Sequence, residues 1–191
     1  MADNNDDDVL TIFPNDKTLV QEYIHKEYII NLDATIEDSP NYRTAFQVFR
    51  NATVDDTIRI ILNTPGGYVS AGIQIANAML ETRATVIAEI YEACSCGALI
   101  ALHADVVLVK HFGLMMIHTL SSGGSGKQSE LKASTDFFDK WNENMIKTVF
   151  AGFLTMAEMK LVIAGADMWL DKHEIEKRLK TWVPIRKRKA K

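Results

Sequence analysis

Ser95 stands in Ala93-Cys94-Ser95-Cys96-Gly97, where an apolar, strand-like run gives way to a helical one. A hydroxyl on such a turn is presented for attack on a carbonyl carbon, and the helix N-terminus behind it adds positive partial charge. The same position suits a helix-capping serine, which is the commoner duty. Upstream, Asn63-Thr64-Pro65-Gly66-Gly67 also closes an apolar strand just before a helix. Its two glycines leave backbone N–H groups unobstructed, which fits an oxyanion hole and fits an ordinary strand-to-helix turn equally well. Neither motif decides the matter alone.

Other reactive residue types carry less. Cys94 and Cys96 are too close in sequence for an ordinary structural disulfide, and with His103 and His111 they match none of the usual zinc spacings, so they are expected to be small packing residues. Gly126-Lys127 is not a phosphate loop, because Ser121 stands where the first glycine belongs and Gln128 where Ser or Thr belongs. Met115, Met116, Met145, Met156, Met159 and Met168 are expected to fill the core or an interface. No metal site and no cofactor is expected.

The elements that must hold these turns follow from periodicity. Tyr28 to Leu32, Thr57 to Asn63, Thr85 to Ile90, Asp105 to Val109 and Leu114 to Ile117 read as strands. Between them lie a helix after Ser39, a helix with Val69, Ile73, Ala76 and Leu80 on one face, and an apolar helix over Ser95 to Ala104. The alternation predicts α/β layering with mostly parallel strands. Leu131, Ser134, Phe138, Trp141, Met145 and Val149 share a face of one long helix from Gln128 to about Phe150. Thr155 with Glu158, and Asp171 with Glu174, mark two further helix starts, with Gly165 closing the first and Asp167 to Leu170 a short strand between them.

The chain has 191 residues, 47% of them hydrophobic, enough for one substantial core, so residues 1–191 are read as a single domain. Its net charge of −4 lacks the basic field that draws proteins to nucleic acid. No run is long and apolar enough for a membrane span, and the start is acidic where a secretory signal would be basic and then apolar, so a cytoplasmic protein is expected. Residues 1–8 read as an acidic flexible end before a strand-like Val9 to Phe13, and residues 184–191 as a basic tail of the solvated kind.

Taken together, the blocks resemble the ClpP family, the caseinolytic serine peptidases. Ile61 to Gly67 with the trailing Ala71-Gly72 is similar to that family's Asn-Ser-Pro-Gly-Gly block, and Ala93 to Gly97 to its Ala-Ala-Ser-Met-Gly nucleophile site. Met115-Met116-Ile117-His118 resembles its Met-Ile-His segment, Gly123-Gly124-Ser125-Gly126 its glycine-rich strand, and Asp167 to Leu170 its Arg-Asp-x-x-Leu stretch. The blocks fall in family order from about Thr57 to Lys180. Tyr91 stands where the family has glycine, and Thr119-Leu120 replaces its Gln-Pro.

The resemblance implies a ClpP/crotonase-like spiral of repeated ββα units with a long protruding handle helix. It implies a serine endopeptidase with Ser95 as nucleophile, His118 as general base and Asp167 as the carboxylate that orients the imidazole. The Gly67 and Cys96 amides would form the oxyanion hole, and Gly123, Gly124 and Gly126 would pair edge-on with an extended substrate. It further implies peptide or unfolded-protein substrates, heptameric or double-heptameric homo-oligomeric rings and an AAA+ unfoldase partner. Competing readings are a catalytically silent ring subunit, a viral maturation peptidase and a crotonase-type acyl-CoA enzyme. An α/β-hydrolase ranks below them, because its acid precedes its histidine in the chain.

Overall fold

The computed structural model describes residues 25–121 and 125–188. The acidic start, the Val9 to Phe13 segment, Gly123, Gly124 and the last three residues lie outside that range.

Strands β1 (Glu27–Leu32), β2 (Thr57–Thr64), β3 (Thr85–Cys94), β4 (Val106–Ile117) and β5 (Met168–Asp171) form one five-stranded sheet in chain order. The first four run parallel and β5 pairs antiparallel with β4. Parallel neighbours need crossovers. These contain α1 (Arg43–Asn51), α2 (Val69–Glu81) and α3 (Cys96–Ala101), while α4 (Gln128–Val149), α5 (Met156–Ile163) and α6 (Lys172–Leu179) complete the order.

Alternate residues of the central strands face the helices. Ile58, Ile60 and Leu62 of β2 and Val86, Ala88 and Ile90 of β3 are fully buried, beneath Phe46 and Phe49 of α1 and Ile75 and Met79 of α2. Because α1 touches α2 and α2 touches α3, the crossover helices lie side by side over this face. Each fully buried Ile or Leu contributes about 1.5–3 kcal/mol. The intervening residues carry a charge ladder across four strands. Arg59 bridges Glu27 and Glu89 at 2.7 Å each, and Lys110 reaches Glu89 at 2.6 Å.

Three expectations need correction. The two segments Asp105 to Val109 and Leu114 to Ile117 are one strand, β4, whose pairing with β3 shifts register between Ile90 and Glu92. The apolar helix expected over Ser95 to Ala104 spans only Cys96–Ala101, since Ser95 has left helical geometry and the chain turns after Ala101. The basic end is not simply solvated. Arg186 pairs with Asp105 at 2.8 Å and donates to the Ala84 carbonyl at 3.0 Å, while Arg188 donates to the Val149 and Ala151 carbonyls at the end of α4. Cationic guanidinium groups at helix C-termini complement the unpaired carbonyls there.

Helix α4 is continuous over 22 residues, with its buried side chains, Asn142, Ile146 and Val149, confined to the second half. Its first half leaves Phe137 61% and Phe138 46% exposed. No helix among the described residues is long and apolar enough to cross a membrane.

Candidate active site

Ser95 is the one non-glycine residue with positive φ among the described residues, at φ 56° and ψ −121°. That conformation is costly for a residue with a Cβ, and the surrounding bonds hold it. The Ser95 N–H donates to the Met116 carbonyl at 2.8 Å, and the Ser95 carbonyl accepts from Ala98 N–H at 3.0 Å. The hydroxyl does not cap α3. It lies 2.7 Å from His118 Nε2 instead, so of the two duties open to this serine the geometry favours the chemical one.

His118 follows the last residue of β4. Ile117 is paired with Met168 in the antiparallel β4–β5 ladder, so the next step outward sets His118 opposite Asp167. His118 Nδ1 is 3.8 Å from Asp167 Oδ1, an ion-pair distance rather than a hydrogen bond, and the Asp167 side chain is 57% exposed. Gly165, at φ +102°, turns the chain out of α5 toward this carboxylate, a conformation that favours glycine. Asn142, buried on α4, accepts the Leu120 N–H at 3.3 Å and ties down the segment after His118.

The Pro-Gly-Gly turn packs directly against the serine. A Cβ on Gly66 would lie 2.5 Å from Ser95 Cβ, and one on Gly67 would lie 2.1 Å from the Ile36 carbonyl oxygen. Ile36 pairs with this turn from both sides, its N–H donating to Gly66 O at 2.7 Å and its carbonyl accepting from Tyr68 N–H at 2.8 Å. Burial pushes the Cys96 thiol up to about 11, with the nearby Gly67 and Cys96 backbone N–H groups acting the other way. Burial, with Glu92 beside it, likewise raises Cys94 to about 11. Both thiols are therefore protonated at neutral pH and poor nucleophiles.

The unit carrying Asp167 is clamped from behind. Thr155 and Glu158 form the expected reciprocal capping box on α5, and Asp171 accepts the Glu174 N–H to cap α6. Arg178 of α6 grips Glu158 with both terminal nitrogens, at 2.7 and 2.9 Å. This guanidinium, with the Thr155 donors, holds the Glu158 carboxyl down at about 2.

Ser95, His118 and Asp167 thus come together, and Gly67 and Cys96 lie beside them. Gly126 is described, at φ +155°, two residues before α4, whereas Gly123 and Gly124 fall outside the described range. Sequence reading overlooked Thr64, Asn142, Arg178 and Arg186. Only Thr64 had a local signal, its place inside the Pro-Gly-Gly block.

A parallel sheet whose third strand breaks sharply at a serine facing an imidazole defines an α/β protein with a nucleophile-elbow type of turn. The Clp protease family model matches residues 15–174, and the chain belongs to that family, as a ClpP-like peptidase domain. No curated protein matches it.

Proposed function

We propose that the chain is a serine endopeptidase working through Ser95, His118 and Asp167. The observation that carries this reading is the 2.7 Å contact between Ser95 Oγ and His118 Nε2. For Nε2 to accept the serine proton, the imidazole carries its own hydrogen on Nδ1, the nitrogen that faces Asp167. Ser95 Oγ then attacks the scissile carbonyl carbon as its proton passes to Nε2, and the carbonyl oxygen becomes an oxyanion received by the Gly67 and Cys96 N–H groups. His118 returns the proton to the leaving amine, and the C–N bond breaks to leave an acyl-serine. Water, deprotonated by the same nitrogen, attacks the ester and frees the carboxylic acid and Ser95.

A small rotation of the exposed Asp167 carboxylate would bring it from 3.8 Å to hydrogen-bond distance of His118 Nδ1. Gly123, Gly124 and Gly126 would offer backbone to an extended peptide, which suits unfolded or short substrates. The remainder of the proposal rests on family membership: a single peptidase domain of repeated ββα units, homo-oligomeric rings in which the exposed aromatic half of α4 acts as the handle, and delivery by an AAA+ unfoldase.

A fluorophosphonate probe tests the core of the reading. Covalent labelling and peptide cleavage are expected in the native chain, with labelling abolished and cleavage lowered by several orders of magnitude in Ser95→Ala. Labelling that survives in the variant rejects Ser95 as nucleophile. Turnover of a crotonyl thioester without peptide cleavage points instead to acyl-CoA chemistry.

A further inference from the structure

Between the end of β1 and the 3-10 turn Ser39–Tyr42 the chain runs as a strap over residues 33–38. Five of its six residues are exposed, and Ile36, at 1% exposure, is the anchor that ties it into the core. That anchor lays the Ile36 backbone beside Gly67 as an isolated parallel bridge. Glycine at 67, with φ +148°, is what permits so close an approach.

The two hydrogen bonds of Ile36 fix the two peptide planes that meet at Gly67. In a trans peptide the carbonyl and the N–H share one rigid plane and point to opposite sides. The Ile36 N–H holds the Gly66 carbonyl at 2.7 Å, so the Gly67 N–H of that same plane points away from the strap. The Tyr68 N–H donates to the Ile36 carbonyl at 2.8 Å and fixes the next plane. A bond accepted by the Gly66 oxygen also polarises its peptide, which makes the Gly67 N–H a stronger donor.

Ile36 is held in turn. The Tyr42 hydroxyl accepts the Glu37 N–H at 3.0 Å, and that N–H shares a plane with the Ile36 carbonyl. Asn41 donates to the Glu37 carboxylate at 2.6 Å, closing the strap onto the turn that carries Tyr42. Hydrogen bonds and rigid peptide planes therefore alternate from Tyr42 through Ile36 to Gly67.

We infer that Ile36 is a positioning residue of the oxyanion hole, its backbone N–H aiming and polarising the Gly67 donor from behind, with the Tyr42 hydroxyl holding the strap in place. The inference rests on the Ser95 reading, in which the Gly67 N–H receives the oxyanion. A donor aimed before the reaction begins acts on the charge that develops in the transition state, so its loss falls on kcat rather than on substrate binding.

The test changes one backbone group. Incorporating the α-hydroxy analogue of isoleucine at position 36 turns the Thr35–Ile36 amide into an ester, which keeps the side chain and removes the N–H. With a fluorogenic peptide, kcat is expected to fall roughly tenfold while KM stays within about twofold. A peptide boronate, whose tetrahedral adduct on Ser95 sets an oxygen in the same hole, should weaken by a similar factor. The same ester at exposed Ala34, whose N–H makes no hydrogen bond among the described residues, should leave kcat unchanged. Tyr42→Phe keeps the ring and removes the acceptor, and should lower kcat about threefold at constant KM even if the ester chain does not fold. Native kcat in either variant, or a loss carried by KM alone, overturns the inference. Fluorophosphonate labelling separates the two failures. A native chain that does not label at Ser95 loses its nucleophile and this role for Ile36 together, whereas a chain that labels, beside an ester variant of native kcat, loses the role of Ile36 alone.

Discussion

The Thr64 hydroxyl accepts the Gly66 N–H at 3.1 Å, one residue before the amide proposed to meet the oxyanion. Its methyl group occupies the space beside Gly97, where a Cβ would come within 2.8 Å of Thr64 Cγ2. One fully buried side chain therefore holds the Pro-Gly-Gly turn with its oxygen and seats the helix after Ser95 with its carbon. The two duties can be separated. Thr64→Val keeps the methyl and loses the acceptor, and kcat is expected to fall roughly tenfold with KM little changed. Thr64→Ser keeps the acceptor and should retain most of kcat while losing about 1 kcal/mol of stability to the small gap. Steady-state kinetics beside thermal melts read both, and a Val variant with native kcat would remove Thr64 from the positioning of the site.

The Glu158–Arg178 clamp predicts a pH dependence of stability. Glu158 has its folded-state pKa lowered, from 4.5 to about 2. A depressed carboxyl stabilises the fold while ionised, so its contribution is complete above about pH 4.5 and fades as pH falls toward 2. Its size is at most about 2–3 kcal/mol, trimmed by solvent because the side chain is 24% exposed. Glu158→Gln should lower the urea midpoint at pH 7 and flatten its decline between about pH 5 and about pH 2. Parallel curves for the two proteins would show that the clamp carries no such linkage.

Arg186 joins the end of the chain to the middle of the sheet. It reaches Asp105, whose other bond is from the Val86 N–H at 2.9 Å, and it also meets the Thr82 and Ala84 carbonyls where α2 gives way to β3. Arg186→Met should strand the half-buried Asp105 carboxylate and cost about 2–3 kcal/mol, lowering Tm by roughly 5–10 °C. Calorimetry checks it, and an unchanged Tm would mean that the contact is incidental.

Much of the fold was legible because strand alternation and helix periodicity report burial directly. Ile58, Ile60 and Leu62 announce a one-sided strand, and Thr155 with Glu158 announces a helix start that the capping box reproduces. The site was legible through glycine and serine, residues whose placement is dictated by backbone rather than by partners. What stayed hidden depends on long-range pairing. Nothing local to Arg186 points to Asp105, and nothing local to Asn142 points to the Leu120 amide. The joining of two expected segments into β4 was hidden for a related reason: Lys110 to Gly113 look like a break by composition, yet Gly113 lets the strand pass so near β3 that a Cβ there would sit 2.7 Å from the Ile90 oxygen.

The left-handed backbone at Ser95 has a thermodynamic corollary. A conformation of this kind costs of order 1–3 kcal/mol in any residue bearing a side chain, so the folded protein carries a standing load at the proposed nucleophile. Ser95→Gly should discharge that load, melting several degrees above the native chain while being unable to form an acyl-serine. Reactivity and heat resistance would then trade against each other at a single carbon atom.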